Sequence, residues 1–127
     1  IPARVVDKGD AEFQVTAGDW AIIKADHPIN LPDLKLQVNY EFPFADPFFR
    51  YGNDYGRGIM VGAGYLGAHQ ESGLISALSD GHPGVSGGGV LNKAGGLVGI
   101  SIGRMDADFR FSFILPIKSR MLKRVRM

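Results

Sequence analysis

The chain has 127 residues and a mass of 13.7 kDa, enough for one domain with a sizeable core but too few for two complete domains. Fourteen Lys and Arg residues against thirteen Asp and Glu residues give a net charge of +1, so the overall charge indicates neither a nucleic-acid nor an acidic partner. The absence of cysteine excludes disulfides, Cys-zinc sites, iron–sulfur sites and a Cys nucleophile. No apolar run approaches the roughly 18 residues that a membrane span needs.

Eighteen glycines and seven prolines divide the chain into short segments, which is typical of all-β folds. The candidate strands carry alternating or continuous Val, Ile and Phe. They are Trp20 to Lys24, Leu36 to Phe42, Arg57 to Leu66, Gly73 to Leu78, Gly88 to Asn92, Leu97 to Ile102 and Phe109 to Leu115. Between the first and the rest, residues 25–33 show no periodicity and are interpreted as a linker. The six strands after it are enough to close a small antiparallel barrel.

Helical periodicity is found only in the segment that follows Pro116. Its apolar side chains fall on one face, and they are Ile117, Met121, Leu122 and Val125. Its basic side chains occupy the other positions, and they are Lys118, Arg120, Lys123, Arg124 and Arg126. We interpret the segment as a surface helix with a solvated basic face, docked on the barrel. The alternative is an arm that binds nucleic acid or an anionic membrane.

Gly62, Gly64 and Gly67 form a G-x-G-x-x-G pattern after an apolar run, as at the start of a dinucleotide-binding unit. Such a unit needs a helix next, and then a second parallel strand that ends at an acid. Asp80 has the position of that acid, but the residues before it leave no room for the strand. We therefore interpret these glycines as positions that permit twist, bulges and close strand approach in a barrel. No cofactor and no metal is predicted.

The most informative stretch is residues 82–90, His-Pro-Gly-Val-Ser-Gly-Gly-Gly-Val. A nucleophilic serine needs an exposed hydroxyl and nearby backbone N–H groups that can face a developing oxyanion. Glycines permit the backbone shape and leave the space above it open. Gly84 and Ser86 supply such a pair of N–H groups. A glycine-rich turn between two strands is the alternative interpretation.

The surroundings of this stretch resemble the trypsin-like (chymotrypsin-fold) serine peptidases, especially the disulfide-free bacterial HtrA-like branch and related viral enzymes. That family carries P-G-N-S-G-G-P, an apolar strand, a turn, a G-x-x-V-G-I strand and a terminal F-A-I-P-I. The matching segments here are residues 83–89, 95–100 and 113–117. Upstream, residues 19–24 (Asp-Trp-Ala-Ile-Ile-Lys) resemble the family's D-[IL]-A-[LV]-[LI]-K segment, whose Asp orients the catalytic histidine.

The resemblance implies a six-stranded antiparallel Greek-key barrel of the trypsin-like fold with a short C-terminal helix. The last strands of an incomplete first barrel would precede it. Residues 1–34 would then be the remnant of that N-terminal barrel with the linker, and residues 35–127 the C-terminal barrel and helix. The family to which the motifs point works without a cofactor.

The same resemblance implies the site residues. Ser86 corresponds to the nucleophile, Asp19 to a buried triad acid, and the N–H groups of Gly84 and Ser86 to the oxyanion hole. The strand that pairs with the substrate backbone corresponds to Ser101, Ile102 and Gly103. The base of the primary specificity pocket corresponds to Asp80, six positions before Ser86. The alternatives are a surface cap for Asp19, an ordinary strand serine for Ser101 and an exposed turn aspartate for Asp80.

The histidine of the family is the missing element. In the family the order is His, Asp, Ser, whereas His27, His69 and His82 all follow Asp19, and none of them is assigned as the general base. We expect a serine endopeptidase that cleaves polypeptides through an acyl-enzyme, with its histidine on a missing or separate N-terminal segment. The chain alone should have little activity, because a serine hydroxyl without a base is a weak nucleophile. The alternative is a catalytically inactive trypsin-like module that grips an extended peptide.

Overall fold

The computed structural model describes residues 1–10, 16–53, 56–79, 86–105 and 108–125. Eight strands and a short 3₁₀ helix are defined in this part of the chain. The strands are β1 (Ala3–Lys8), β2 (Ala21–Ala25), β3 (Pro47–Gly52), β4 (Met60–His69), β5 (Ile75–Leu78), β6 (Gly89–Asn92), β7 (Leu97–Met105) and β8 (Asp108–Pro116). The 3₁₀ helix is Ser119–Leu122.

The strands form a two-stranded hairpin and a barrel. β1 and β2 pair antiparallel, with an irregularity in β1 between Val5 and Asp7. The other six strands close a barrel in the order β3-β4-β5-β8-β7-β6, in which β6 pairs back to β3. All neighbours in the barrel are antiparallel, and the insertion of β8 between β5 and β7 is the mark of a Greek-key connection. The predicted all-β class and six-stranded antiparallel barrel are confirmed.

Two hydrophobic clusters hold this arrangement together. The first fills the barrel and consists of Phe42, Phe48, Leu66, Ile75, Ala77, Val90, Val98 and Ile114. The second lies on the side of the barrel that faces the hairpin and consists of Leu74, Ile102, Leu115 and Met121. Ala17 and Trp20, from the segment that leads into β2, pack against this second cluster. The hairpin is therefore attached to the barrel by apolar side chains.

One of the six barrel strands differs from its prediction. Residues 36–42 are not a strand, because Leu36 alone makes a β-bridge, to Leu97, and Asn39 and Phe42 have φ values of 56° and 52°. A left-handed backbone cannot continue a strand. Instead the segment is bound to Leu97 and Ile117 by backbone hydrogen bonds, and its Phe42 side chain is 1% exposed in the barrel core. The sixth strand is β3, which begins at Pro47, a position where the missing N–H costs little.

The G-x-G-x-x-G pattern lies inside β4, with no helix after it. A Cβ added to Gly64 would overlap the carbonyl oxygen of Leu78, and one added to Gly67 would overlap the hydroxyl of Ser76. Both contacts are with β5, the next strand of the barrel. The interpretation of these glycines as positions of close strand approach is confirmed.

The C-terminal segment is less helical than its periodicity predicted. Pro116 belongs to β8 rather than to a first helical turn, and the helix is a single 3₁₀ turn. Ile117 and Met121 are nevertheless buried, at 6% and 4% exposure. The periodicity thus identified two residues of the packed face but not the length of the helix. Among the described residues, no helix is long and apolar enough to cross a membrane.

Tyr40 fixes the irregular segment before β3. Its ring packs edge to face on Phe42, with centroids 5.1 Å apart. Its hydroxyl donates to the carboxylate of Asp46, which also lies 3.4 Å from the Lys93 ammonium. Burial raises the pKa of Tyr40, the negative charge of Asp46 raises it further, and the positive charge of Lys93 opposes the shift.

The raised pKa of Tyr40 makes the free energy of unfolding fall with rising pH in the alkaline range. Because the pKa of Tyr40 is higher in the folded state, its hydroxyl ionises at lower pH in the unfolded chain than in the folded one. Tyr40 therefore contributes stability that is fully present below about pH 10 and is lost as the pH rises through the folded pKa. We predict that Tyr40→Phe flattens the fall in unfolding free energy between about pH 8 and 11, measured by urea denaturation. The control is Tyr65→Phe, at an exposed tyrosine, which should keep the wild-type slope. Parallel curves for the three proteins would contradict the prediction.

Candidate active site

Trp20 determines where the hairpin meets the barrel. Its backbone carbonyl accepts a 2.9 Å hydrogen bond from the Gly9 N–H at the end of β1. Its indole ring lies directly on Gly9, since a Cβ added there would overlap the ring nitrogen of Trp20 and the carbonyl oxygen of Gly18. Trp20 also packs on the second hydrophobic cluster. Trp20 thus joins both strands of the hairpin to the barrel.

Asp19 is positioned by the turn immediately before Trp20. The Asp19 N–H donates to the Thr16 carbonyl at 3.1 Å, and the Trp20 N–H donates to the Gly18 carbonyl at 3.0 Å. The expectation that Asp19 is buried is wrong, because its side chain is exposed. A buried carboxylate without a cation or hydrogen-bond donors would be costly, and the described residues provide no ion pair for Asp19.

Ser86 is held beside β7 by the residues that follow it. The Gly87 N–H donates to the Ser101 carbonyl at 2.6 Å, and the Ser101 N–H donates to the Gly88 carbonyl at 2.9 Å. Gly87 has a φ of 85°, a conformation that strains any residue with a side chain. Ser86 itself is exposed, and no acceptor for its N–H is found among the described residues. Its hydroxyl and its N–H are both available to a bound molecule.

A cleft of about 620 Å³ brings the hairpin and barrel residues together. From the hairpin side, Asp19 lines this cleft, and from the barrel side, Ser86, Ser101 and Ile102 line it. Ser101 and Ile102 are otherwise buried, at 4% and 8% exposure. Gly103 follows them on β7 but does not line the cleft. The predicted residues Gly84 and Asp80 lie outside the described part of the chain.

The described walls of the cleft contain no imidazole. His27 is exposed beyond β2, and His69 lies at the end of β4, where its Nε2 is 2.9 Å from the Glu41 carbonyl oxygen. His82 lies outside the described residues. Lys8 lines the cleft, and its side chain is exposed. The described cleft wall therefore brings the Asp19 carboxylate and the Ser86 hydroxyl to one cleft without a histidine.

Part of the cleft wall was not predicted from the sequence. The additional lining residues come from the end of β1, from the start of β2 and the turn before it, from the segment before β6, and from β7. They are Lys8, Gly9, Asp10, Gly18, Trp20, Ala21, Gly87 and Ile100. The available signal was the single tryptophan of the chain, directly after Asp19, where the resembled segment has Ile or Leu. A large side chain at that place needs a glycine opposite, and Gly9 is that residue. The described residues include no group of three or more potential metal ligands.

No sequence profile of a known family matches the chain, and no curated protein matches it by sequence. Solved structures do match. The HtrA-type protease AlgW with a decapeptide is 26% identical with a TM-score of 0.72, over 90% of this chain and 36% of that one. A serine endoprotease from Yersinia pestis is 25% identical with a TM-score of 0.68, over 81% of this chain and 39% of that one.

This is a trypsin-like protease fold. An inactive mutant of Rv3671c from M. tuberculosis shares the fold at 16% identity, with a TM-score of 0.70, over 94% of this chain and 60% of that one. The structural neighbours are HtrA-type serine proteases, as the motifs around Asp19 and Ser86 led us to expect. The chain spans little more than a third of the length of the HtrA-type structures that it matches.

We predict that Trp20→Ala detaches the hairpin while the barrel stays folded, because Trp20 and Ala17 provide the apolar contacts between the two. Backbone amides of β2 should then exchange with deuterium at least tenfold faster, and those of β7 and β8 should keep their protection. Trp20→Phe is the matched control, since it retains an aromatic ring. The prediction would be contradicted if Trp20→Ala changed the deuterium exchange rates of β2 and β8 by the same factor.

Proposed function

We propose that this chain carries the nucleophile and the acid of a serine endopeptidase, which cleaves polypeptides through an acyl-enzyme. The observation that carries the proposal is the single cleft that receives Asp19 from the hairpin and Ser86 from the barrel. These residues are 67 positions apart in sequence, and nothing but the docking of the hairpin brings them to one place. The fold of the chain, and the nature of its structural neighbours, support the same function.

In the proposed mechanism, Ser86 attacks the substrate carbonyl and its N–H group stabilises the oxyanion, together with that of Gly84. Asp19 orients an imidazole and stabilises its cationic form after the imidazole has taken the serine proton. We propose that this imidazole comes from a histidine outside these 127 residues. The supporting observations are the family order of the triad and the absence of an imidazole from the described cleft wall.

The proposed substrate is an extended polypeptide that lies along β7. β6 pairs with β7 as far as Ile100, so Ile102 and Gly103 lie beyond the end of β6. The register between β7 and β8 shifts between Ser101 and Gly103, which is typical of a bulge. A peptide added at this strand would run past Ser86. We also propose that Asp80 favours a basic residue before the scissile bond.

For the domain organisation, we propose that residues 1–34 are a portion of an N-terminal barrel with its linker and that residues 35–127 are the C-terminal barrel. The supporting observation is that β1 and β2 make a separate two-stranded sheet, with Val5 and Ile23 paired and both more than half exposed. A sheet of two strands is marginal by itself, and further strands would cover these side chains.

The first test uses the 127-residue chain and a fluorophosphonate that labels nucleophilic serines. We expect weak labelling at Ser86, which free imidazole raises at least tenfold, because a small base can enter the open cleft between Asp19 and Ser86. Peptide mapping by mass spectrometry locates the label. Ser86→Ala should remove the label. Ser72→Ala, at an exposed serine that does not line the cleft, should leave the label in place. Labelling spread over several serines, with or without imidazole, would reject the proposal.

The second test concerns Asp19. Asp19→Asn should remove most of the imidazole effect, because the neutral amide neither fixes the tautomer nor stabilises the cation; the loss is about 10⁴ in the trypsin case that defines this role. Asp10→Asn is the matched control, since Asp10 also lines the cleft. A loss below about twofold for Asp19→Asn would assign Asp19 to structure instead of catalysis.

The rival function is a catalytically inactive peptide-binding module, and the absence of an imidazole from the described cleft wall favours it. Both functions predict that peptides bind along β7. The two functions differ in the reactivity of Ser86. A binding module would not react with fluorophosphonate under any condition, and its Ser86→Ala variant would bind peptides with unchanged affinity. Peptide binding measured by fluorescence anisotropy, beside the labelling experiment, distinguishes the two.

A further inference from the structure

A second cavity lies on the hairpin, away from Ser86. Its volume is about 360 Å³, within the usual range of small-molecule sites. Both hairpin strands and the end of the C-terminal segment line it, and the lining residues are Arg4, Val6, Ile22, Ile23, Lys24, Arg124 and Val125. Among the described lining residues, none is shared with the cleft of Asp19 and Ser86.

Three cations surround this cavity without compensation. Arg4 and Lys24 are directly opposite each other in the β1–β2 register, so two like charges face each other across the hairpin. Such pairs are unfavourable in antiparallel sheets. Arg124 adds a third cation from a segment about a hundred residues further along the chain. Within the described part of the chain, none of the three makes an ion pair with a carboxylate.

The remaining lining side chains are aliphatic. Val6, Ile22 and Val125 are half-buried between the hairpin and the C-terminal segment, so they form an apolar wall below the cations. Among the described residues, the lining contains neither an acid nor an aromatic ring. These residues therefore offer no partner to a cation ligand and no ring on which a nucleobase could stack.

We propose that this cavity binds a carboxylate carried on a short aliphatic chain. The carboxylate would lie between Arg4, Lys24 and Arg124, where an anion relieves the repulsion of the facing cations and an arginine fork can hold both oxygens. The aliphatic chain would cover Val6, Ile22 and Val125. The proposal does not depend on peptidase activity, because no residue of the proposed catalytic apparatus takes part.

The test is a calorimetric titration of the 127-residue chain with octanoate. We expect saturable binding at one site, weakened when salt is raised to about 0.5 M, because exposed cations are screened. Octanol, which lacks the charge, and acetate, which lacks the chain, should each bind at least tenfold more weakly. Equal binding of acetate would reveal an adventitious anion only and would overturn the proposal, as would equal binding of octanol.

Variants locate the site. Arg4→Gln, Lys24→Gln and Arg124→Gln should each weaken octanoate binding about two- to fivefold, as expected for single exposed charges. Lys35→Gln and Arg120→Gln remove one exposed cation each outside the cavity and should leave the affinity unchanged. All five positions are exposed, so the variants should fold. Equal weakening in all five would show a general charge effect and would overturn the proposal.

A membrane surface is the competing partner for a basic patch with apolar side chains. Anionic phospholipid vesicles, added in a sedimentation assay, distinguish it. Vesicle binding that Arg4→Gln, Lys24→Gln and Arg124→Gln reduce, together with no detectable octanoate binding, would overturn the proposal in favour of a membrane. Octanoate binding with no vesicle binding would support the proposal.

Discussion

The packing of Trp20 on the second hydrophobic cluster is the contact on which the candidate site depends. The barrel has its own core and a closed hydrogen-bond network, whereas the hairpin has two strands and exposed apolar side chains. Without the indole, the hairpin would lose its main apolar contact with the barrel. Asp19 immediately precedes this tryptophan, so the residue that attaches the hairpin also sets the place of the carboxylate.

Glycines make both halves of the site possible. On the hairpin, Gly9 leaves the space that the Trp20 ring occupies. On the barrel, Gly87 adopts a left-handed conformation and turns the chain so that its N–H reaches the Ser101 carbonyl. That bond fixes the residues after Ser86 on β7 while Ser86 itself stays open to solvent. The result is an exposed serine on a rigid support, which is what the proposed acyl transfer would require.

Two regions of the surface differ in charge. The cleft is lined by the carboxylates of Asp10 and Asp19 and by the hydroxyls of Ser86 and Ser101, an environment that would suit the cationic imidazole of the proposed mechanism. The other face of the hairpin holds Arg4 and Lys24 opposite each other, with Arg124 nearby, an environment that suits an anion. The net charge of +1 does not show this division, because it sums 14 basic and 13 acidic residues over the whole chain.

The sequence by itself indicated the all-β class, through β-branched runs between glycines, and the candidate Ser86, through a serine in a glycine-rich turn. The candidate Asp19 came from the resemblance of residues 19–24 to a family segment. The predicted six-stranded barrel is confirmed, although the prediction counted residues 36–42 in place of β3. The sequence did not determine that residues 36–42 leave the extended conformation, because Asn39 turns the chain in response to contacts with Ile117 and Ser119, about 80 positions away. The tertiary structure alone decided that Asp19 stays exposed, that Arg4 faces Lys24, and that Arg124 joins them. Each of these three features depends on strand register or on the docking of distant segments. A local sequence pattern does not encode which residue from a distant segment a side chain will face.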